Sequence, residues 1–219
     1  MNTKTTVAIV GLGKIGEVIA TNLAKGNQPV ILASRDLEKA TSLATKIGSL
    51  ATAKPIAEAI READVIIPAL YFNLLQEFFK TYAQELAGKI IVDVSNPIAP
   101  DGNGGFKKII GERESSGQIL SQLIPKSAKL VKAFGTLGAG SLASAAFNQP
   151  ERKVLFYASD NTNSHQLIEE LITSSGFEPF HIGGIDQSIR IEVFGDLHEF
   201  GRLGRTVTRE EVKAALAHA

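Results

Sequence analysis

The sequence predicts an α/β fold, a doubly wound and mostly parallel sheet with a small C-terminal α/β extension. Three observations predict it. Short apolar runs alternate with amphipathic helical stretches, the pattern of strands joined by crossover helices that cover both sheet faces. The 219 residues, 44% of them hydrophobic and 21% charged, suffice for a continuous core without metal or disulfide support. The first apolar run ends in a glycine-rich turn that opens directly into a helical pattern.

Residues 6–10 form that first run and read as a buried strand. Residues 14–25 then place Ile15, Val18, Ile19 and Leu23 at helical spacing. Residues 29–33 are the next strand, followed by a charged amphipathic helix over 37–47 that Gly48 ends. A strand near 50–53 precedes a short helix opened by Pro55, a residue suited to a first helical turn. Residues 65–67 are a strand, 72–86 a helix stopping at Gly88, and 90–94 another strand. The polar, glycine-rich stretch 100–117 reads as a flexible loop able to close as a lid. After it come a helix around 119–124 and a strand over 129–134. Strands over 153–158 and 177–182 flank a helix at 165–174, and a helical region spans 185–200.

Composition excludes several classes of function. Lys and Arg number 23 against 23 Asp and Glu, so no electrostatic footprint for a nucleic-acid backbone exists. No apolar stretch approaches the ~18 residues of a membrane span. The opening residues carry no secretory signal pattern, and a soluble cytoplasmic protein is expected. The absence of cysteine removes disulfides, thiolate metal sites and cysteine nucleophiles together.

The turn after the first strand is Gly11-Leu12-Gly13-Lys14-Ile15-Gly16, a G-x-G-x-x-G pattern between a strand and a helix. In that context Gly11 allows the tight turn, Gly13 lets backbone approach a pyrophosphate, and Gly16 lets helix and strand pack closely. The anion would rest on unpaired N–H groups at the helix N-terminus, where the helix dipole favours it. A tight turn without ligand is the competing reading. An NAD site usually carries an acid at the end of the next strand. Here that strand ends in Ser34-Arg35, with Lys39 one turn further on, and Asp36 is placed to begin or cap the helix. A hydroxyl, a guanidinium and an ammonium in place of an acid select a 2′-phosphate, hence NADP(H). A solvated charge pattern supporting the helix is the alternative.

These residues resemble the family of NADP oxidoreductases dependent on the deazaflavin coenzyme F420, and their bacterial relatives. The resemblance rests on VAIVGLGKIG (7–16), SRDLEK (34–39), DVSNPI (93–98) and KAFGTL (132–137). It implies a Rossmann NADP-binding domain over residues 1–135, with residues 136–219 as an extension packed on it. It implies a pyrophosphate over Leu12 to Ile15 and a 2′-phosphate at Ser34, Arg35 and Lys39. Ala69, Leu70 and Tyr71 would line the adenosine side; Asn96, Pro97, Ala133, Phe134 and Gly135 would lie nearer the nicotinamide. Two departures fall where the second substrate is implied to bind. Gly135 stands where the family often has asparagine or histidine, and residues 183–204 differ from the family's longer helix.

Other candidates for chemistry are sparse. Of four histidines, His165 reads as a surface residue, His181 ends a strand and His218 is penultimate. His198, between Asp196 and Glu199, is the most suggestive, although an exposed helix end looks the same. Phe72, Phe78, Phe79 and Tyr82 form a helical stripe for core or subunit contact, which leaves a homodimer open. No metal-binding or nucleophile-elbow pattern is present. Without a convincing proton donor, hydride exchange with a flavin- or deazaflavin-type small-molecule acceptor fits better than alcohol or carbonyl chemistry. Gly135 and Gly138 are expected to leave room for that flat ring. A non-catalytic NADP(H) sensor is the alternative.

Overall fold

The computed structural model describes residues 5–217. Its strands are β1 (Val7–Val10), β2 (Val30–Ala33), β3 (Ala51–Ala53), β4 (Val65–Pro68), β5 (Ile90–Asp93), β6 (Ile98–Pro100), β7 (Phe106–Lys108), β8 (Lys129–Ala133), β9 (Val154–Ala158) and β10 (Glu178–His181). Its α-helices are α1 (Lys14–Lys25), α2 (Leu37–Ile47), α3 (Ile56–Glu62), α4 (Phe72–Thr81), α5 (Ala83–Leu86), α6 (Ser116–Ser121), α7 (Ala139–Ser144), α8 (His165–Ser174) and α9 (Arg209–Ala217). A 3-10 segment covers Ile185–Ile191.

The main sheet runs β10-β9-β8-β5-β4-β1-β2-β3. Its pairings from β3 through β8 are parallel, β9 joins β8 antiparallel, and β10 joins β9 in parallel. Side chains alternate across a strand, and β1 shows the consequence. Val7 and Ile9 enter the core on one face with Leu23, Ile168 and Phe177. Ala8 and Val10 enter the other with Ile60, Leu75 and Phe79. Order reverses between β1 and β4, so the C-terminal ends of β1, β2 and β4 share an edge with those of β5 and β8, the place where such sheets take ligands.

Helices α1, α2 and α8 occupy the predicted stretches. Asp36 caps α2, accepting from the Lys39 N–H at 3.1 Å. Other expectations are corrected. The stretch 72–86 is two helices, because Tyr82 leaves helical geometry (φ −109°, ψ 25°) with its ring 5.2 Å from that of Phe78. The 100–117 stretch is not a loose lid; it holds the antiparallel β6–β7 hairpin, whose turn Asp101 fixes by accepting from the Asn103 and Gly105 N–H groups. Helix α6 starts at Ser116, since Ser115 accepts from the Gln118 N–H and caps it there. The region 185–200 is helical only in its 3-10 segment. Beyond that the chain folds back until a Cβ on Gly201 would lie 1.8 Å from the Gly195 carbonyl oxygen. Helices α7 and α9 have no counterpart in the sequence reading. Among the described residues, no helix is long and apolar enough to cross a membrane.

Candidate functional site

The three glycines of the first turn have three different structural reasons. Gly11 sits at φ +96°, and a Cβ there would lie 2.6 Å from the Ala69 carbonyl oxygen. A Cβ on Gly16 would lie 2.0 Å from the Gly11 carbonyl oxygen, so α1 packs on the turn only with glycine at that position. Gly13 differs: nothing lies within 4 Å of the place its Cβ would take. The fold itself does not require glycine there, but a ligand lying on the backbone does. Gly13 is also the N-cap of α1 and supplies no side-chain cap, leaving the first N–H groups of a twelve-residue helix for an anion. The Leu12 side chain is buried in the core, so only its backbone faces that side, while Lys14 is exposed and Ile15 half-buried.

At the end of β2, Ser34 is half-buried and its Oγ accepts from the Asp36 N–H at 3.3 Å. Arg35 is exposed and makes no ion pair or hydrogen bond with the described residues. Lys39 lies 3.5 Å from Glu17, an exposed pair that water screens. Of the three groups, Arg35 has no partner among the described residues, and Ser34 and Lys39 have weak ones. Ala69 and Leu70 are half-buried beside the turn, and Tyr71, at the mouth of α4, is 79% exposed.

The ends of β5 and β8 are tied to each other and to the segment after the 3-10 turn. Asn96 Nδ2 donates to the Gly135 carbonyl at 2.9 Å, and its Oδ1 accepts from the Val193 N–H at 2.7 Å. His198 is buried, contrary to the exposed-helix-end reading. Its Nε2–H donates to the same Gly135 carbonyl at 3.0 Å, while Nδ1 accepts from the Phe200 N–H at 2.9 Å. Burial pushes its pKa down to about 4, outweighing the stabilising contact with Gly135, so the ring is neutral. Glu199 accepts from the Gly138 N–H. Ala133, Phe134 and Pro97 are buried; Phe134 adopts φ 61° with its side chain in the core.

The space expected beside two glycines is filled. A Cβ on Gly135 would lie 2.8 Å from the Val94 carbonyl oxygen, and one on Gly138 would meet Glu199 and the Phe200 ring. These glycines let elements pack, and a flat ring finds no room beside their Cα atoms. Two hydroxyls at this edge, Ser95 Oγ and Thr136 Oγ1, are buried without a partner among the described residues.

The sequence reading assigned no role to a buried group below this edge. Lys132 Nζ lies 2.6 Å from Asp93 Oδ2 and 2.7 Å from Ser116 Oγ, and it donates to the Ser95 carbonyl. Glu192 accepts from the Ser116 N–H, the Ser116 hydroxyl and the Gly117 N–H at 2.9–3.0 Å. The visible signal was Asp93 closing the apolar β5 and Lys132 next to last in β8. The remaining histidines sit elsewhere: His165, which opens α8, and His181, which ends β10, have ring centroids 4.3 Å apart, and His218 lies outside the described residues. In a recess of about 480 Å³ beside β10, Arg209 is engaged by Glu178 and Arg152 by the Thr173 carbonyl. The Phe78 and Phe79 rings of the aromatic stripe are core.

Residues 6–97, from β1 to just before β6, match the family model described as NADP oxidoreductase, coenzyme F420-dependent. That stretch is similar to the F420-dependent NADP oxidoreductases. Similarity continues beyond it. The chain is 26% identical over 201 residues to an F420-dependent NADP reductase of Methanocaldococcus jannaschii, covering 87% of this chain and 89% of that protein. It is 29% identical over 186 residues to the metalloreductase STEAP3 of Rattus norvegicus, with 85% of this chain covered. The match spans only 35% of the metalloreductase's length. Among solved structures, a hypothetical protein from Sinorhizobium meliloti superposes with a TM-score of 0.81 at 28% identity, covering 94% of this chain and 96% of that one. The glycine turn and Ser34-Arg35 both lie within the stretch that is similar to these NADP oxidoreductases.

Proposed function

We propose that the protein binds NADPH across the C-terminal edge of the sheet and passes hydride to a flavin- or deazaflavin-type ring. The pyrophosphate lies on the open backbone of Gly13 and the N-terminus of α1. The 2′-phosphate is taken by Ser34, Arg35 and Lys39, and the adenosine passes Tyr71. The nicotinamide end reaches the C-terminal ends of β5 and β8 beside the half-buried Asn96. The names of the F420-dependent reductase and the metalloreductase support hydride or electron transfer from NADPH.

The observation that carries the choice of acceptor is the state of the ionisable groups at this edge. His198 has both ring nitrogens engaged and stays neutral. Lys132, Asp93 and Glu192 are buried and bonded to one another or to backbone, and Glu199 holds the Gly138 N–H. None of these five groups is left to protonate a nascent alkoxide. A flavin-type ring makes little such demand, because its own nitrogens and carbons accommodate the charge, and the protein's task is to align two rings.

Steady-state oxidation of NADPH with a panel of flavins and deazaflavins tests this. Acceptor-dependent oxidation by at least one of them supports the proposal. Tight NADPH binding with no turnover across the panel would make the protein a sensor of the cofactor.

A further inference from the structure

The hydride transfer proposed above uses none of the groups in the buried cluster of Lys132, Asp93, Ser116 and Glu192. Lys132, Asp93 and Glu192 are each 1% exposed or less. The direction of their hydrogen bonds fixes their charges. Lys132 gives hydrogens to Asp93, the Ser95 carbonyl and Ser116 Oγ. Having accepted from the lysine, the Ser116 hydroxyl passes its own hydrogen to Glu192 Oε1. Both backbone partners of Glu192 are N–H donors, and Asp93 accepts from the Ser95 N–H at 2.8 Å. The carboxyls are therefore acceptor-only carboxylates beside one ammonium. One positive and two negative charges leave a net negative charge in the protein interior.

Such burial costs several kcal/mol per ion, and apolar side chains of similar volume serve stability at least as well. Its position suggests another use. Asp93 and Lys132 are cross-strand partners at the ends of β5 and β8. Three residues on from each are Asn96 and Gly135, and Val193, the neighbour of Glu192, donates to Asn96. Nearby groups do not cancel the charge: His198 is neutral, Arg190 is paired with Asp196 at 2.8 Å, and Glu199 adds a further carboxylate.

We infer that this buried negative charge biases the bound cofactor toward its oxidised form. When hydride leaves NADPH with its electron pair, the acceptor is reduced and the nicotinamide ring becomes cationic. A negative charge below the ring holds NADP⁺ more tightly relative to NADPH, which favours donation. The inference rests on the placement of NADP(H) proposed above. A unit charge acting over a distance on the order of 10 Å at an effective dielectric of ~20–40 changes such an equilibrium by about 4- to 15-fold.

The test is equilibrium binding of NADP⁺, NADPH and 2′-phospho-ADP-ribose, which lacks the nicotinamide, to the parent and to Glu192→Gln and Asp93→Asn. In each variant the ratio of the NADP⁺ to the NADPH dissociation constant should rise about 4- to 15-fold, with 2′-phospho-ADP-ribose affinity within about two-fold of the parent. Ser116→Ala removes a hydrogen-bonding link but no charge, and should leave the ratio unchanged. Variants that bind 2′-phospho-ADP-ribose normally yet keep the parental ratio overturn the inference, as does an equal shift in Ser116→Ala. A parent that binds none of the three ligands overturns the underlying site instead, so the two failures are distinct.

Discussion

Lowering the pH from 7 to 5 should weaken the fold through His198. Its pKa falls to about 4 from an ordinary 6.5, chiefly because the ring is buried. The unfolded chain takes up this proton as pH drops through 6.5, while the native ring refuses it until about 4. Over that window the unfolded state binds more protons, so stability falls as pH falls. A depression of this size is worth about 3 kcal/mol below pH 4, of which about 2 kcal/mol is lost between pH 7 and 5. The structural event is specific: a proton on Nδ1 removes the acceptor for the Phe200 N–H and loosens the segment that closes over the ends of β5 and β8. Urea unfolding at half-unit steps of pH reads the slope, and His198→Gln supplies a non-titrating reference that subtracts the carboxylates. The parent should lose about 2 kcal/mol more than the variant between pH 7 and 5. Parallel pH profiles would refute a buried, neutral His198.

Two further effects follow from the dinucleotide face. Arg35→Ala should weaken NADPH roughly 10- to 150-fold, the value of a charge-assisted contact of about 1.5–3 kcal/mol, and leave NADH nearly unchanged in calorimetric titration. Equal losses for both would assign Arg35 to the adenine or the fold. Gly16→Ala should destabilise the protein by up to ~3 kcal/mol in urea unfolding, because its Cβ meets a backbone oxygen that has no rotamer to yield. Unchanged stability would show that α1 moves freely off the turn.

What was legible in the sequence was what local pattern and context determine. The bounds of α1, α2 and α8 follow from the spacing of their apolar residues, with the Asp36 cap at α2, and the glycine turn could be read because a strand precedes it and a helix follows. Asp93 and Lys132 lie in segments quoted for the family resemblance, but nothing local marked them as a buried cluster. The rest depends on residues distant in the chain. Glu192 meets Ser116 across 76 positions, and His198 meets Gly135 across 63. No local periodicity announces such contacts, which is why His198 read as an exposed helix end. The same holds for Gly135 and Gly138. Glycine in sequence signals either room for a ligand or close packing, and only the neighbours, the Val94 carbonyl and the Phe200 ring, decide for packing. The antiparallel entry of β9 is likewise a tertiary choice, since its apolar run fits either direction.

The most direct test of the cofactor site is Gly13→Val, because the space beside Gly13 is empty in the protein alone and its backbone (φ −76°, ψ −173°) accepts a β-branched residue. Calorimetric titration with NADPH should show binding to the parent and none to a variant whose unliganded stability is within about 1 kcal/mol of the parent's. NADPH binding as tight in Gly13→Val as in the parent would contradict the placement of the pyrophosphate on this turn.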